Sequence, residues 1–492
     1  MNTYLCVCLG SAFLAVVITP AIICLARKIK ALDSPGPRKV HLRPVPHIGG
    51  VVIILSTLCL VLPVLFLQNT IGEAFREMRL QLAVLLSSAT LVFLVGLIDD
   101  LKGLRARVKL LVELAGAIAV CAVGIRISAV AVADWLTINF GWFSWPLTIL
   151  WIVGITNAVN LSDGLDGLAA GISAIACAVI AILAIWSGQV VMAVLMFALL
   201  GSLTGFLFFN FSPAKVFLGD CGSLFLGFTI ATSSVMCSTK SSALVGLALP
   251  FLALGIPIFD TLFSMLRRFL DRRSLFAPDC SHFHHRLLAL GLKQQHAVMV
   301  AYAVTGLAAG LGLFMMLTRN TGSMILFLCI LLLLVLVFRF VGAVRLGETI
   351  VGLQKKWALA RQQNEQARRF EEAQLHFRQT HNGQDWWKAV CGAAQQMDFA
   401  WLSLKTTEKD GTINTSVWRG PDFTTDLSKV IVMNVPVGNG QTDPSLELEV
   451  AVPVNGALES ASHQAMLFSR LIDEYNLMRL NSRVSFNTVL GV

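Results

Sequence analysis

The chain has 492 residues, of which 56% are hydrophobic and 14% charged, with a mean hydropathy of +0.73. Soluble domains carry about 25% charged residues and run to about 150 residues each, so this composition excludes a lone soluble core, a disordered chain, a collagen and a disulfide scaffold. The formal charge of +9 is read as membrane-flanking loops that meet anionic headgroups or phosphorylated substrates, not nucleic acid.

A helix needs about 20 apolar residues to cross the hydrocarbon core. Eleven stretches qualify, at roughly 3–25, 48–67, 80–98, 110–131, 143–159, 168–186, 190–208, 222–238, 243–265, 297–317 and 322–340. The first has no basic stretch before it and no small-residue cleavage signal, so it reads as a span rather than a removable signal peptide. Most cysteines fall inside these apolar runs, without the Cys/His spacing of a zinc site, and read as packing residues.

Basic residues crowd the loops after odd-numbered spans: Arg27, Lys28 and Lys30, then Lys102, Arg105, Arg107 and Lys109, then Lys215, then Arg267 through Lys293. The opposite loops hold only Arg76, Arg79, Lys240 and Arg319. The positive-inside rule therefore puts the N-terminus outside and the C-terminal tail in the cytoplasm. Four polar clusters fall on that same basic side: Asp99-Asp100, Asn157 to Asp166, Asn210 to Asp220, and Asp260 through His285. Scattered structural polar residues would occur at both faces; clusters at one face can converge on one site.

Asp99 and Asp100 end the third span, where the helix dipole already disfavours negative charge. They read either as a solvated helix end or as carboxylates awaiting a hard divalent cation such as Mg²⁺. Lys109 and Glu113, four residues apart, read either as part of the same polar site or equally as an ordinary ion-paired helix face. Ser162 or Asp163 would serve as N-cap of the sixth span, which leaves Asn157, Asn160 and Asp166 unexplained at membrane depth, where polar groups are usually functional. Asp220, flanked by glycine and opening a helix, is an N-cap or a third carboxylate for a cation. His282, His284 and His285 follow an Arg-rich loop and suit phosphate contacts better than zinc. A basic loop on lipid headgroups is the plainer alternative. Together these groups describe phosphoryl transfer between a soluble and a lipid-borne phosphate, where catalysis is positioning and charge neutralisation.

The motifs Asp33-x-Pro35-x-x-Arg38-Lys39-x-His41 with Pro46 and Gly49-Gly50, then Asp99-Asp100, Asn157-x-x-Asn160-x-x-Asp163-Gly-x-Asp166-Gly, Phe217-x-Gly-Asp220-x-Gly-Ser223, Pro257-x-x-Asp260 and His282-x-His284-His285 follow one another in order. In these the chain resembles the polyprenyl-phosphate N-acetylhexosamine-1-phosphate transferases across about residues 1–340. The resemblance implies Mg²⁺- or Mn²⁺-dependent transfer of a sugar 1-phosphate from a UDP-sugar to a polyprenyl phosphate, with release of UMP. It implies Asp220 as metal ligand with Asp99 and Asp100 beside it, and Phe217 stacked on uracil. Asn160, Asp163 and Asp166 would lie near the nucleoside, and Asn210 and Lys109 in the catalytic cleft. Arg267, His284 and His285, together with His282, would stand on the diphosphate. The split His-Phe-His-His pattern resembles the branch that uses UDP-GlcNAc, so undecaprenyl phosphate as acceptor and surface-polysaccharide synthesis are expected, in a bacterial inner membrane and with a homodimer compatible. Another UDP-sugar (UDP-GalNAc or UDP-MurNAc-pentapeptide), a nucleotide-sugar transporter and a membrane sensor are the competing readings.

The fold class expected is thus a polytopic α-helical membrane protein with about eleven transmembrane helices and a small cytoplasmic α+β domain. Residues 1–340 form the transferase core and 341–383 a helical linker. Residues 384–492 form the α+β domain, dimly similar to GAF-type modules, with helices at 385–397 and 459–480 around strand-like runs at 399–406, 412–418, 429–436 and 446–454.

Overall fold

A computed structural model describes residues 2–33, 44–133, 136–238, 243–270, 282–318, 322–340, 361, 368–407, 412–420, 430–437, 445–453 and 458–475. Pro35, Arg38, Lys39 and His41 of the first motif, the loop 271–281 with Arg272 and Arg273, and most of the expected linker 341–383 lie outside them. The chain divides into two compact units, Met1–Thr349 and Ile350–Val492.

The first unit is helical. Its elements are α1 (Asn2–Lys28), β1 (Leu32–Asp33), β2 (Val45–Pro46), α2 (Gly50–Val61), α3 (Thr70–Glu77), α4 (Arg79–Lys102), α5 (Ala106–Ala122), β3 (Ala129–Ala133), β4 (Leu136–Asn139), α6 (Ser144–Ser162), α7 (Leu168–Trp186), α8 (Val190–Asn210), α9 (Gly219–Ser238), α10 (Ala243–Ala253), α11 (Gly255–Leu270), α12 (Phe283–Ala289), α13 (Gln294–Thr318) and α14 (Gly322–Phe340). Among the described residues seven helices are long and apolar enough to cross a membrane, or eight if the bent pair Gly50–Phe66 and Thr70–Glu77 is one span. The protein is therefore a multi-pass membrane protein.

Three expected spans take more complicated forms. The second bends by 100° after a 3-10 turn that begins at Leu62-Pro63, and Asn69 then caps α3, its Oδ1 accepting from Gly72 N at 2.9 Å. The fourth stops at Ala122 because Gly124, at φ +90°, adopts the left-handed conformation that terminates helices, and β3 and β4 then pair antiparallel. The stretch 243–265 breaks between α10 and α11. Pro257 has no N–H to offer the carbonyl of Ala253, so the ladder is interrupted there.

At the centre stands α9, buried from Cys221 to Ser238 and packed against α4, α6, α7, α2 and α10. With no lipid to meet, it intersperses small residues and hydroxyls among buried bulky ones such as Phe225 and Phe228. A Cβ on Gly96 of α4 would lie 2.7 Å from Cys221 Cα and 2.8 Å from Asp220 O, so the two backbones touch, the close approach that small residues permit in membrane bundles. That contact brings the end of α4 to the start of α9.

The second unit has a helical stretch at 368–378, α15 (Gly383–Gln396), β5 (Trp401–Thr407), β6 (Ile413–Arg419), β7 (Val430–Pro436), β8 (Ser445–Pro453) and α16 (Leu458–Glu474). The strands form one antiparallel sheet in the order β6-β5-β8-β7, with Trp401 opposite both Arg419 and Ala451. Asn382 caps α15, its Oδ1 accepting from Asp385 N at 2.8 Å. Leu402, Leu404, Leu448 and Val450 alternate onto the face that packs with Trp386, Phe377, Phe399 and Phe468.

Candidate active site

The end of α4 supplies Asp99 and Asp100, and the two carboxylates do different things. Asp100 Oδ1 accepts from Asp220 N at 2.9 Å and its Oδ2 from Cys221 N at 3.0 Å, so it satisfies the unpaired amides at the positive end of α9. Gly219, at φ +76°, makes the turn into that helix. His47 Nε2 donates to the Asp100 carbonyl at 2.7 Å. Asp99 accepts from Leu104 N and from Lys109.

Lys109 Nζ lies 2.6 Å from Asp99 Oδ2 and 2.6 Å from Asp220 Oδ2. It does not form the helix-face pair expected with Glu113, because α5 turns it toward α4 and α9. Glu113, 1% exposed, instead accepts a hydrogen bond from Asn157 Nδ2. Asn160 Nδ2 donates to Ser223 Oγ at 2.9 Å and to Asp220 Oδ1 at 3.2 Å. Asp99, Lys109, Asp220 and Asn160 thus form one charged network drawn from α4, α5, α9 and α6.

The turn between α6 and α7 corrects one expectation. Neither Ser162 nor Asp163 caps α7: α6 runs through Ser162, whose Oγ donates to Ala158 O at 2.8 Å, and α7 begins after Gly167 at φ +79°. The carboxylates of this turn are available for other work. Asp166 Oδ2 accepts from Ala214 N at 3.0 Å, tying the turn to the segment before α9. Burial, reinforced by the negative charges of Asp220, Asp100 and Asp166, pushes the Asp163 carboxyl well above the usual carboxylate range.

Phe217 is held by its backbone. Its N–H donates to Pro46 O at 2.7 Å, its carbonyl accepts from Gly49 N at 3.0 Å, and Leu218 O accepts from Gly50 N at 2.9 Å. A buried Asn210 spends its Nδ2 on Val216 O at 2.9 Å, bracing the same segment.

The histidines are anchored by Asp260 of α11, whose Oδ1 accepts from Phe283 N at 2.8 Å and whose Oδ2 pairs with His282 Nδ1 at 3.1 Å. His282 and His284 stack at 5.7 Å, and His285 follows with its ring 4.4 Å from that of His284. His284 is packed so tightly on Gly164 that a Cβ there would overlap its ring. Burial, with the neighbouring His285 and His282, holds the His284 imidazole down at about 4, against the pull of Asp260. Arg267, half-buried in the last turn of α11, is engaged by neighbouring groups.

These segments enclose a cavity of about 390 Å³. Asp100, Asp163, Asp166 and Asp220 line it, together with Asn210, Phe217 and His285 of the residues expected at the site. Lys109, Asp99 and Asn160 lie behind Asp220, joined to it by the network above, whereas His282, His284 and Arg267 are not in the lining. His47 and Gln294, which sequence reasoning passed over, also line the cavity, as does Asp33, quoted in the first motif but given no role there. Asp33 opens the first motif; His47 and Gln294 carry no spacing signal that would have singled them out.

Among the described residues no three carboxylate, imidazole or thiolate groups converge as a ready metal cage. Mg²⁺ is commonly bound without one, through one or two carboxylates with substrate phosphates and water. Five carboxylates around one cavity, counting Asp33, suit that mode.

The helical membrane bundle thus holds an acidic cavity, a half-buried lysine bridge and a histidine cluster on one site. Residues 82–238 match the family described as glycosyl transferase family 4. A probable undecaprenyl-phosphate N-acetylglucosaminyl 1-phosphate transferase of Bacillus subtilis is 38% identical over 296 residues, 60% of this chain and 80% of that protein. The undecaprenyl-phosphate alpha-N-acetylglucosaminyl 1-phosphate transferase of Thermotoga maritima is 32% identical over 56% of this chain and 78% of its own length. A phospho-N-acetylmuramoyl-pentapeptide-transferase of Desulforudis audaxviator is 33% identical over 62% of this chain and 96% of its own. The chain belongs to the polyprenyl-phosphate N-acetylhexosamine-1-phosphate transferase family.

Proposed function

We propose that the protein transfers GlcNAc-1-phosphate from UDP-GlcNAc to undecaprenyl phosphate at the cytoplasmic face of a bacterial inner membrane, releasing UMP and initiating surface-polysaccharide synthesis. The observation that carries this reading is the Asp99–Lys109–Asp220 bridge at 2.6 Å on each side, beside a cavity walled by Phe217, acidic side chains and His285. The B. subtilis and T. maritima relatives, named for that reaction, favour GlcNAc over the muramoyl-pentapeptide of the D. audaxviator protein.

In the reaction an oxygen of the lipid phosphate bonds to the β-phosphorus of UDP-GlcNAc, and the bond from that phosphorus to the bridging oxygen breaks, with UMP leaving. A bound divalent cation would neutralise the diphosphate and the charge that develops on the leaving group. Asp220 would be the residue to hold it, with Asp99 and Asp100 beside it. Lys109, held between Asp99 and Asp220, keeps those carboxylates from repelling each other and offers positive charge behind Asp220. Phe217 presents its ring for the uracil, while Asp163, Asp166 and Asn160 shape the nucleoside end. His285 meets the diphosphate, and His282, locked by Asp260, with His284 stacked between the two, orients it; Arg267 adds charge at the rim. A phosphate monoester is largely ionised at pH 7, so no residue needs to take a proton from it.

The basic loops on one side favour eleven crossings with the N-terminus outside and the second unit in the cytoplasm as an interaction or regulatory domain. The test is transfer of label from UDP-GlcNAc into butanol-extractable lipid by purified protein with undecaprenyl phosphate and Mg²⁺, with EDTA and UDP-GalNAc as comparisons. Metal-dependent lipid label with stoichiometric UMP supports the reading; no label from any UDP-sugar with folded protein sinks it.

A further inference from the structure

The cavity's walls include two short segments, 163–167 between α6 and α7 and 211–218 between α8 and α9. Both are gripped by α13. Tyr302 Oη donates to Gly167 O at 2.5 Å. That carbonyl already accepts Gly171 N at 2.9 Å, so the tyrosine takes its second lone pair. The seat for the ring is cut out of α7: a Cβ on Gly171 would overlap the Tyr302 ring, and one on Gly167 would stand 3.3 Å from its hydroxyl. Two helical turns earlier on the same face, Gln295 Nε2 donates to Ser212 O at 2.8 Å, and Gln294 lines the cavity. The two segments are also tied to each other, through Asp166 and Ala214 N at 3.0 Å.

We infer that α13 clamps the donor cavity, with the Tyr302 hydroxyl a positioning residue that holds the acidic turn bearing Asp163 and Asp166 at the spacing the UDP-sugar requires. Tyr302 is not among the residues that line the cavity; it acts through the Gly167 carbonyl. This rests on the function proposed above and adds to it the part that sets donor affinity.

Tyr302→Phe removes the hydroxyl and keeps the ring in its seat. A hydrogen bond of this kind is worth about a three- to tenfold change in an equilibrium. Exchange at the hydrogen-bonded amides of Leu168 and Gly171 should accelerate by about three- to tenfold, and KM for UDP-GlcNAc should rise by a similar factor while kcat stays within about twofold. Gln295→Leu, which frees the other segment, should raise KM without changing exchange at Leu168. A purely structural tyrosine would lower thermal stability and kcat together and leave KM alone. Unchanged exchange in Tyr302→Phe overturns the clamp, and so does faster exchange with unchanged KM. Wild-type protein inert toward UDP-GlcNAc would instead remove the proposed function, and the exchange measurement, which needs no substrate, would still judge the clamp.

Discussion

Gly96→Ala tests whether the contact between α4 and α9 sets the site. The added Cβ would stand 2.7 Å from Cys221 Cα and 2.8 Å from both Asp220 O and Cys221 N, whereas ordinary contact begins at 3.4 Å. All three atoms are backbone, so no side chain can swing away, and the helices must part by more than half an ångström. Overpacking of this sort costs about 1–3 kcal/mol. The parting falls one turn before Asp99 and Asp100 and directly at Asp220, so Lys109 can no longer keep 2.6 Å contacts on both sides. Misplacement of reacting groups by about an ångström lowers rates about 10²-fold; a shift somewhat smaller predicts a kcat loss of about 10- to 100-fold with a lower melting midpoint. The assay is lipid-linked label from UDP-GlcNAc beside thermal unfolding in detergent. Gly154→Ala, whose Cβ meets nothing within 4 Å, is the control and should behave as wild type. Wild-type turnover and midpoint in Gly96→Ala would refute the reasoning.

Asp220→Asn should abolish transfer while the protein still inserts and purifies; retained turnover would take Asp220 out of the metal site. Lys109→Met leaves the Asp99 and Asp220 carboxylates facing each other at 13% and 34% exposure. Breaking a buried pair costs about 3–5 kcal/mol and an exposed one under about 1, so a stability loss of about 2 kcal/mol is expected. Most of that loss should be recovered in Lys109→Met/Asp99→Asn, and a double variant no more stable than the single one would contradict the bridge. His284, 3% exposed with its imidazole held at about 4, stays neutral in the fold while an unfolded histidine takes its proton near pH 6.5. The unfolded state therefore binds more protons between these values, and stability present above pH 6.5, on the order of 3 kcal/mol, drains away as pH falls toward 4. Melting midpoints from pH 7.5 to 4.5 should show this slope, flattened in His284→Gln; identical slopes would count against it.

Which residues gather at the cavity was more legible in the sequence than how they are wired. Asp100, Asp163, Asp166, Asn210, Phe217, Asp220 and His285 meet at one cavity because short-range motifs place them at helix ends, and helix ends at one face converge. What a carboxylate does there depends on long-range partners: Asp100 is taken by the amides of α9, and Lys109 reaches across to Asp220 instead of along its own helix to Glu113. No local pattern encodes either choice. The capping role expected of Ser162 or Asp163 failed because α6 continues one turn further and Gly167 can adopt the left-handed turn. Continuous apolar runs concealed the breaks at Gly124 and Pro257, since hydropathy averages over a window while a single residue breaks a ladder. In the second unit the alternation of Leu402, Leu404, Leu448 and Val450 is legible because one face of a sheet must be apolar whatever the domain does.

The complete enclosure of α9 changes what its sequence is selected for. A helix bathed in lipid is constrained mainly to remain greasy, so at positions such as Leu5, Leu9 and Phe13 of α1, which are 60%, 61% and 68% exposed, any bulky apolar residue serves. From Cys221 to Ser238 the constraint is volume. Serine and threonine are admitted because they are small, and some bond their own helix, as Ser234 and Ser238 do to the carbonyls of Ala231 and Val235, each at 2.7 Å; a leucine would be rejected at many of the same positions. Saturation mutagenesis should thus return two opposite grammars from neighbouring helices, one scored by hydrophobicity and the other by size. The helix that bears Asp220 would be among the least greasy in the bundle and the least forgiving.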